Sequence, residues 1–145
     1  MTDLTYRLAV VGDAADIHAL LLGLAADIPL AVETLEQEEA LYAAVRKILA
    51  FAQSWVALDG EKAVGVVLVD SAEVGRHWGE NEQIAIRYAG GEALDALLGR
   101  VLERGVPITA AVRDTNQTGL AVRLEKLGFR ESEGRVGERR FRRDP

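Results

Sequence analysis

The only adjacent pair of glycines in the sequence lies where an apolar segment gives way to a helical pattern. Gly90 and Gly91 follow Ala89, and Arg87 lies just upstream of them. Small residues let a backbone come close to a phosphate, and the free amides at a helix start supply donors and a positive dipole. The stretch therefore predicts phosphate binding at Arg87, Ala89, Gly90 and Gly91. A tight turn that places Glu92 at the helix start explains the same residues.

Besides carboxylates, histidine and tyrosine side chains are the candidates for a general acid or base. An unperturbed histidine side chain titrates near neutral pH, so His77 could accept a proton, although it also fits a surface loop. Tyr88 and Tyr42 could donate a proton, and Tyr42 lies on an apolar helical stripe that favours a core or pocket-wall position. His18 fits an exposed helix position.

Two clusters of like charge could bind charged ligands. Four arginines within residues 138–143 could bind phosphate or nucleic acid, but they also fit an edge strand whose charges prevent pairing with other strands. Because the whole chain is acidic, we favour the edge strand. The acidic residues around the second helix would suit a cationic amine, although a solvated helix start explains them equally; they are Glu33, Glu36, Glu38 and Glu39.

Apolar periodicity predicts the elements that would position these residues. Strands are expected at 5–11, 54–58, 63–69, 83–88, 108–112, 129–133 and 136–142, and helices over 17–24, 34–49, 93–104 and 120–127. Asp13 can cap the first helix, and Thr34 and Gln37 have the spacing of a capping box before the second. The helix over 93–104 joins two apolar strands, and such a crossover requires a parallel pair. The order β-α-α-β-β-β-α-β-α-β-β predicts a sheet with helices packed on it.

This order, together with three short segments, resembles the GNAT superfamily of N-acetyltransferases. Residues 125–129 read Glu-Lys-Leu-Gly-Phe, which is similar to the end of the family's fourth helix and the start of its sixth strand. Tyr6-Arg7 followed by residues 12–17 is similar to the family's opening strand and helix. The hairpin at 54–69, which contains Gly65, is similar to the family's second and third strands. The resemblance implies one domain over residues 1–145 with an α/β (α+β) fold. Its sheet would be mixed and mostly antiparallel, with about six to seven strands and about four helices.

The resemblance implies that acetyl-CoA binds where strands four and five splay apart. The backbone of strand four, here Ile84, Ala85 and Ile86, would polarise the thioester carbonyl, and the loop after that strand would hold the pyrophosphate. The family's loop has the pattern Arg/Gln-x-x-Gly-x-Gly/Ala. Residues 87–92 follow this pattern except at the last position, where Glu92 replaces the small residue.

Three further family positions carry over to this sequence, and one of them departs from the pattern. The family's Asn at the start of helix four aligns with Gln117, and Asn116 precedes it by one residue. A Tyr that often protonates the departing CoA thiolate aligns with Leu124, which has no proton to donate. Glu82 lies where family members often carry a carboxylate base, although it also fits a solvated loop acid.

Composition excludes several classes of function. The 145 residues contain no cysteine, which rules out disulfides and thiolate chemistry, and only two histidines, which disfavours a histidine-rich metal site. A net charge of −6 disfavours general nucleic-acid binding. No apolar run reaches the ~18 residues of a membrane span. The N-terminus lacks the basic and apolar segments of a secretory signal, so a cytoplasmic protein is expected.

Two functions remain in competition at this level. The first is an acetyl-CoA-dependent N-acetyltransferase acting on an amine of a small molecule or protein, with weak or atypical activity because of Leu124. The second is a catalytically inactive GNAT-fold protein with a binding or assembly role. A phosphate-binding or nucleic-acid-binding module built on the C-terminal arginines is a weaker third. A homodimer is compatible with the sequence, which does not determine the oligomeric state.

Overall fold

In the part of the chain that the structure describes, seven strands and four helices follow one another in the order that the sequence predicts. The computed structural model describes residues 4–24, 32–51, 53–72, 83–113, 119–132 and 136–144. The strands are β1 (Leu4–Leu8), β2 (Trp55–Asp59), β3 (Lys62–Ala72), β4 (Gln83–Gly91), β5 (Ile108–Arg113), β6 (Arg130–Ser132) and β7 (Glu138–Arg143). The helices are α1 (Ala14–Gly23), α2 (Leu35–Phe51), α3 (Leu94–Leu102) and α4 (Leu120–Lys126), and a short 3-10 turn (Val11–Asp13) precedes α1.

The strands form one sheet in the order β1-β2-β3-β4-β5-β7-β6. The β4–β5 pair is parallel, and the other neighbouring pairs are antiparallel. The predicted parallel pair is therefore confirmed, and α3 is the crossover between its two strands. The expected GNAT-like, mostly antiparallel sheet is the architecture observed.

The sheet separates two apolar cores. On one face, α3 and α4 pack against the strands; the residues fully buried there include Leu97, Leu98, Ile84, Ile108 and Leu124. On the other face, α1 and α2 cover the sheet; the residues fully buried there include Ile17, Leu21, Val45, Val66 and Leu68. Each helix thus buries the apolar stripe that its sequence spacing predicts.

The predicted capping box at the start of α2 is confirmed. The backbone N–H of Gln37 donates to Thr34 Oγ1 at 3.1 Å, and the N–H of Thr34 donates to Gln37 Oε1 at 3.2 Å. Gln37 Oε1 also accepts the N–H of Glu33 at 2.9 Å. These bonds satisfy amides that the first turn of a helix leaves without intrahelical partners.

Asp13 does not cap α1 through its side chain, contrary to the prediction. Its Oδ2 accepts the backbone N–H of Val10 at 2.8 Å, and its two oxygens accept Arg7 Nη1 and Nη2 at 2.7 and 2.8 Å. Arg7 Nη1 also donates to the carbonyl oxygen of Leu8 at 3.1 Å. The bonds from Arg7 hold the pKa of the Asp13 carboxyl below its usual value. The carboxylate therefore fastens the end of β1 to the 3-10 turn.

None of the helices in the described ranges has the length and apolar composition needed to cross a membrane. Among the same residues, no three His, Asp or Glu side chains lie close enough together to hold a metal ion.

Candidate functional site

The two parallel strands at the centre of the sheet pair over only part of their length. Their register joins Ile84 with Ile108, Ala85 with Thr109, and Ile86 with Ala110, and it ends there. Beyond Ile86, β4 continues to Gly91 beside β3, and beyond Ala110, β5 continues beside β7. The carboxyl ends of β4 and β5 therefore separate, and we call the opening between them the wedge.

A β-bulge in β4 lies where the wedge begins. On β3, Leu68 pairs with Tyr88 and the next residue, Val69, pairs with Ile86, so Arg87 has no residue opposite it. A bulge bends its strand and increases the local twist, and bulges are common beside active sites. The bulge at Arg87 accounts for the separation of β4 from β5 directly after Ile86.

Ala89, Gly90 and Gly91 belong to β4, whereas the sequence suggested that the strand ends at Tyr88. They pair with Val67, Val66 and Gly65 of β3, respectively. The connection from β4 to α3 is thus only two residues long, and the exposed Glu92 is the first of them.

The glycines at this junction allow two backbones to approach closely. The N–H of Glu92 donates to the carbonyl oxygen of Val64 at 2.8 Å. A Cβ on Gly91 would overlap that same oxygen and lie 2.8 Å from Gly65 Cα, and a Cβ on Gly65 would overlap the Glu92 carbonyl oxygen. Gly91 also has φ +87°, which favours glycine. The pair Gly65 and Gly91 therefore fixes where α3 begins.

The start of α3 has no side-chain cap from its N-cap residue. Ala93 precedes the helix in a left-handed conformation, with φ 61° and ψ 31°, and among the described residues no side chain is seen to bond to the first turn. The first amides of a helix have no intrahelical acceptor, and they carry the positive end of the helix dipole. Because α3 follows β4 directly, these donors lie at the end of the wedge.

An ion pair joins the first turn of α3 to α4. Arg123 Nη1 lies 2.7 Å from Asp95 Oδ2, and the two side chains are 39% and 70% exposed. Asp95 is the second residue of α3, and Arg123 lies in the middle of α4. The helices that follow β4 and β5 are thereby linked by opposite charges, an interaction that the sequence did not reveal.

The structure places only part of the predicted site. Arg87 is exposed, and Tyr88 is half-buried against the core on the α1 and α2 face. The part of β4 that pairs with β5 consists of Ile84, Ala85 and Ile86, and it lies immediately before the wedge. The other four predicted residues lie outside the described residues; they are His77, Glu82, Asn116 and Gln117.

Leu124 lies on the buried face of α4, as its spacing predicts. Its side chain is 0% exposed and belongs to the core beneath α3 and α4. The sequence also predicts that α4 stops at Gly128, and the helix does end at Lys126, with Gly128 at φ +93°.

His18 was expected at an exposed helix position, and this prediction is wrong. Its ring is part-buried between α1 and α2, where Nε2 lies 2.9 Å from the carbonyl oxygen of Glu38. The ring also meets Tyr42 edge-on, with centroids 5.3 Å apart. Both side chains therefore hold two helices together.

The arginine-rich strand β7 is not an edge strand, contrary to the prediction. It lies between β5 and β6, and β6 forms the edge of the sheet. Its four arginines all have partners: Arg139 pairs with Glu125 and Glu131, Arg140 with Glu138, and Arg142 with Asp144, while Arg143 donates to the carbonyl of Leu127. The hydrogen bond with Glu131 raises the pKa of Arg139. The arginines of β7 thus take part in contacts within the protein.

A second concavity, the α1 cleft, lies between α1 and the turn from β2 to β3. Its volume is about 410 Å³, and its lining combines apolar residues such as Leu20 and Leu24 with Asp16, Glu61 and Lys62. The three charged residues are exposed, and within the described part of the chain none of them forms an ion pair or a hydrogen bond through its side chain. The cleft therefore carries unneutralised charge beside apolar surface.

No family model and no curated protein sequence matches the chain. Many solved structures do. An N-acetyltransferase from Staphylococcus aureus Mu50 superposes with a TM-score of 0.71 at 11% identity, covering 98% of this chain and 97% of that one. The polyamine N-acetyltransferase of Drosophila melanogaster, which forms N-acetylagmatine, gives 0.71 at 13% identity, covering 99% and 100%. A GNAT-family acetyltransferase from Streptococcus agalactiae gives 0.69 at 13% identity, covering 98% and 95%.

Proposed function

The chain has the fold of the GNAT N-acetyltransferases, and on that premise we propose that it binds acetyl-CoA and transfers the acetyl group to an amine. The observation that carries this proposal is the wedge: two parallel strands that part at the Arg87 bulge and leave one edge of β4 without a partner strand. Fold alone does not fix activity, so the residues of the wedge have to fit the substrate.

The pantetheine arm of acetyl-CoA fits the unpaired edge of β4. The arm is an extended chain with two amides, and an extended chain can bond to a free strand edge as an added strand does. From Arg87 to Gly91 the β5-facing edge of β4 has no partner strand among the described residues, whereas the edge facing β3 is paired. We place the arm along this segment, with Arg87 and Ala89 at its contacts.

The pyrophosphate fits the junction between β4 and α3. Gly90 and Gly91 carry no side chain that would hold a ligand away, and the uncapped amides of α3 begin three residues after Gly91. Oriented amides with a helix dipole behind them favour an anion. The exposed side chain of Glu92 can turn to solvent, so its carboxylate need not lie against a phosphate.

The reaction requires a polarised carbonyl and two proton transfers. A backbone N–H at the bulge would donate to the thioester oxygen as the amine attacks the carbonyl carbon. The carbon–sulfur bond breaks, the amine loses a proton, and the CoA thiolate gains one. We propose Glu82 as the base, with His77 as the alternative, and Tyr88 as the acid. Leu124 leaves the usual position of the acid without a proton, which favours slow turnover.

The acceptor amine would approach from the opposite face of the sheet to α3. Tyr88 packs on the α1 and α2 face, and the α1 cleft lies on the same side with Asp16 and Glu61 exposed. The cleft also holds the exposed Lys62, so its two carboxylates exceed its cations by one, and a net negative charge beside apolar surface suits an ammonium group on a hydrocarbon chain. A non-catalytic, binding role is the second candidate, and the buried Leu124 is the observation that favours it.

Calorimetric titration with acetyl-CoA tests the proposal, followed by a thiol-release assay over a panel of amines that includes agmatine and polyamines. We expect acetyl-CoA binding and slow transfer to at least one amine. Binding without release of thiol from any amine would support the non-catalytic role, and absence of binding would contradict both the cofactor and the activity.

A matched pair of glycine variants assigns the binding to the wedge. Gly90→Val places a branched side chain at the proposed pyrophosphate contact and should weaken acetyl-CoA binding. Gly12→Val makes the same change at an exposed position with nothing within 4 Å of a Cβ, and it should leave binding unchanged. Equal affinity of both variants, each shown to be folded by circular dichroism, would place the pyrophosphate elsewhere.

A further inference from the structure

The ion pair between Arg123 and Asp95 crosses from one helix to another beside the wedge. Arg123 lies one residue before the fully buried Leu124, so its backbone is held against the core. Its Nη1 reaches Asp95 Oδ2 at 2.7 Å, in the first turn of α3. The contact thus brings a cation from α4 to the end of α3 where the uncapped amides lie.

The other ion pair of α3 differs in its placement. Arg100 Nη1 lies 3.8 Å from Glu103 Oε1, one turn along the same helix and at its far end. That pair lies away from the start of the helix, and the Arg100 guanidinium also lies over the Trp55 ring of β2, 5.8 Å from its centroid. Glu103, the residue directly after α3, carries the same charge as Asp95 in a different setting, which makes Glu103 a control for Asp95.

An aspartate in the first turn of a helix is favourable because its charge opposes the helix dipole. A phosphate at the start of α3 would make the same two interactions, with the helix dipole and with Arg123. The Asp95 carboxylate and a phosphate would compete for the Arg123 guanidinium, so they cannot both bind it fully at the same time. The Asp95 side chain is 70% exposed and can turn into solvent at little cost.

We propose that Asp95 competes with the phosphates of CoA for Arg123. Without CoA, the Asp95 carboxylate neutralises the guanidinium, as the structure shows. With CoA, a phosphate group takes Arg123 and the Asp95 carboxylate is released. Arg123 is then a cofactor-binding residue, and Asp95 lowers the affinity for CoA. This inference rests on the proposed function, because it names how the same site is regulated.

Titration of four proteins with CoA tests the competition: the native chain, Asp95→Asn, Arg123→Gln and the control Glu103→Gln. We expect Asp95→Asn to tighten CoA binding and Arg123→Gln to weaken it, each about twofold to fivefold, the range that exposed ion pairs contribute. Glu103→Gln removes the same charge from the same helix and should leave the affinity unchanged. In a fifth protein that combines Asp95→Asn with Arg123→Gln, the Asp95→Asn change should have a smaller effect, because there is no guanidinium to release.

Two changes of condition sharpen the result. S-acetylpantetheine lacks the phosphates, so its affinity should not respond to Asp95→Asn. The gain with CoA should shrink in about 1 M salt, where the Debye length is about 3 Å. Equal gains in CoA affinity from Asp95→Asn and Glu103→Gln would show that the effect comes from the net charge of the protein, and would overturn the competition.

The failures of the two proposals are distinguishable. A native protein that binds no CoA overturns the proposed function, and the competition with it. A native protein that binds CoA, with an Asp95→Asn variant of unchanged affinity, overturns the competition alone. Circular dichroism of each variant establishes that the fold is retained.

Discussion

Addition of a single methyl group at Gly65 should destabilise the protein and displace the start of α3. In Gly65→Ala the new Cβ would overlap the carbonyl oxygen of Glu92 and lie 3.1 Å from its carbonyl carbon. Both atoms are backbone, so no rotation of a side chain relieves the overlap. The strand β3 and the turn at Glu92 would have to separate, which strains the hydrogen bond from Glu92 N–H to the Val64 carbonyl, 2.8 Å long.

Overpacking of this kind costs about 1–3 kcal/mol of unfolding free energy. For a chain of this size each kcal/mol lowers the melting temperature by about 2–4 °C. Gly99→Ala is the matched control, since it adds the same methyl group in the middle of α3 where nothing lies within 4 Å. That control should stabilise the protein by about 1 kcal/mol, because alanine is the better helix former.

Urea unfolding of the three proteins measures the two free-energy changes, and titration with acetyl-CoA measures the effect on binding. We expect opposite signs of stability change for the two glycine variants and weaker acetyl-CoA binding for Gly65→Ala alone. A Gly65→Ala protein with the native midpoint and affinity would refute the close approach of β3 to the α3 junction.

Three further predictions concern single side chains. Leu124→Tyr should raise turnover if a phenol at the family's usual position is a better acid than Tyr88, since general-acid help is worth ~10²–10⁴-fold in all, while overpacking costs about 1–3 kcal/mol; Leu124→Phe, with similar bulk and no hydroxyl, should lose stability without gaining turnover in the thiol-release assay. Ala93→Gly should stabilise by about 0.5–1 kcal/mol because φ is 61°, whereas Ala96→Gly in the first turn of α3 should destabilise by about 1 kcal/mol; equal signs in urea unfolding would contradict the left-handed cap. Because the pKa of Asp13 is lower in the folded state, its ionised carboxylate stabilises the fold above the unfolded pKa near 3.9. This stabilisation is lost as the pH falls through the lower, folded pKa. Asp13→Asn should therefore reduce stability at pH 7, by up to about 1 kcal/mol. In urea unfolding over a series of pH values, the difference between the two proteins should shrink as the pH falls through the folded pKa of Asp13, and a constant difference would point to packing instead.

Local patterns predicted the elements well because those patterns are what the cores bury. The apolar spacing of α3, the capping box of Thr34 and Gln37, and the end of α4 at Gly128 all depend on residues within a turn or two of one another. The parallel pairing of β4 and β5 followed from the crossover helix between them. Each of these predictions is confirmed by the structure.

The features that shape the wedge depend on residues distant in the sequence. The bulge at Arg87 arises from the register in which Leu68 and Val69 pair with β4. An arginine at this position does not by itself predict a bulge. The sequence predicted that the strand ends before Gly91, because the partner of Gly91 in the sheet, Gly65, is distant in the sequence. The same holds for Arg123, whose partner Asp95 lies on another helix.

The bonds of Arg7 have a consequence for how copies of the protein can meet. β1 is a free edge of the sheet, and the bond from Ala9 N–H to the Ser54 carbonyl shows that alternate residues face β2. The outward groups at that end, the Leu8 carbonyl and the Val10 N–H, are already bonded to Arg7 and Asp13. Within the described residues, an incoming strand would find the outward groups of Leu4 and Tyr6 and the N–H of Leu8, which form a short ladder. The bonds of Arg7 and Asp13 thus disfavour strand-to-strand pairing at the Leu8–Val10 end of this edge.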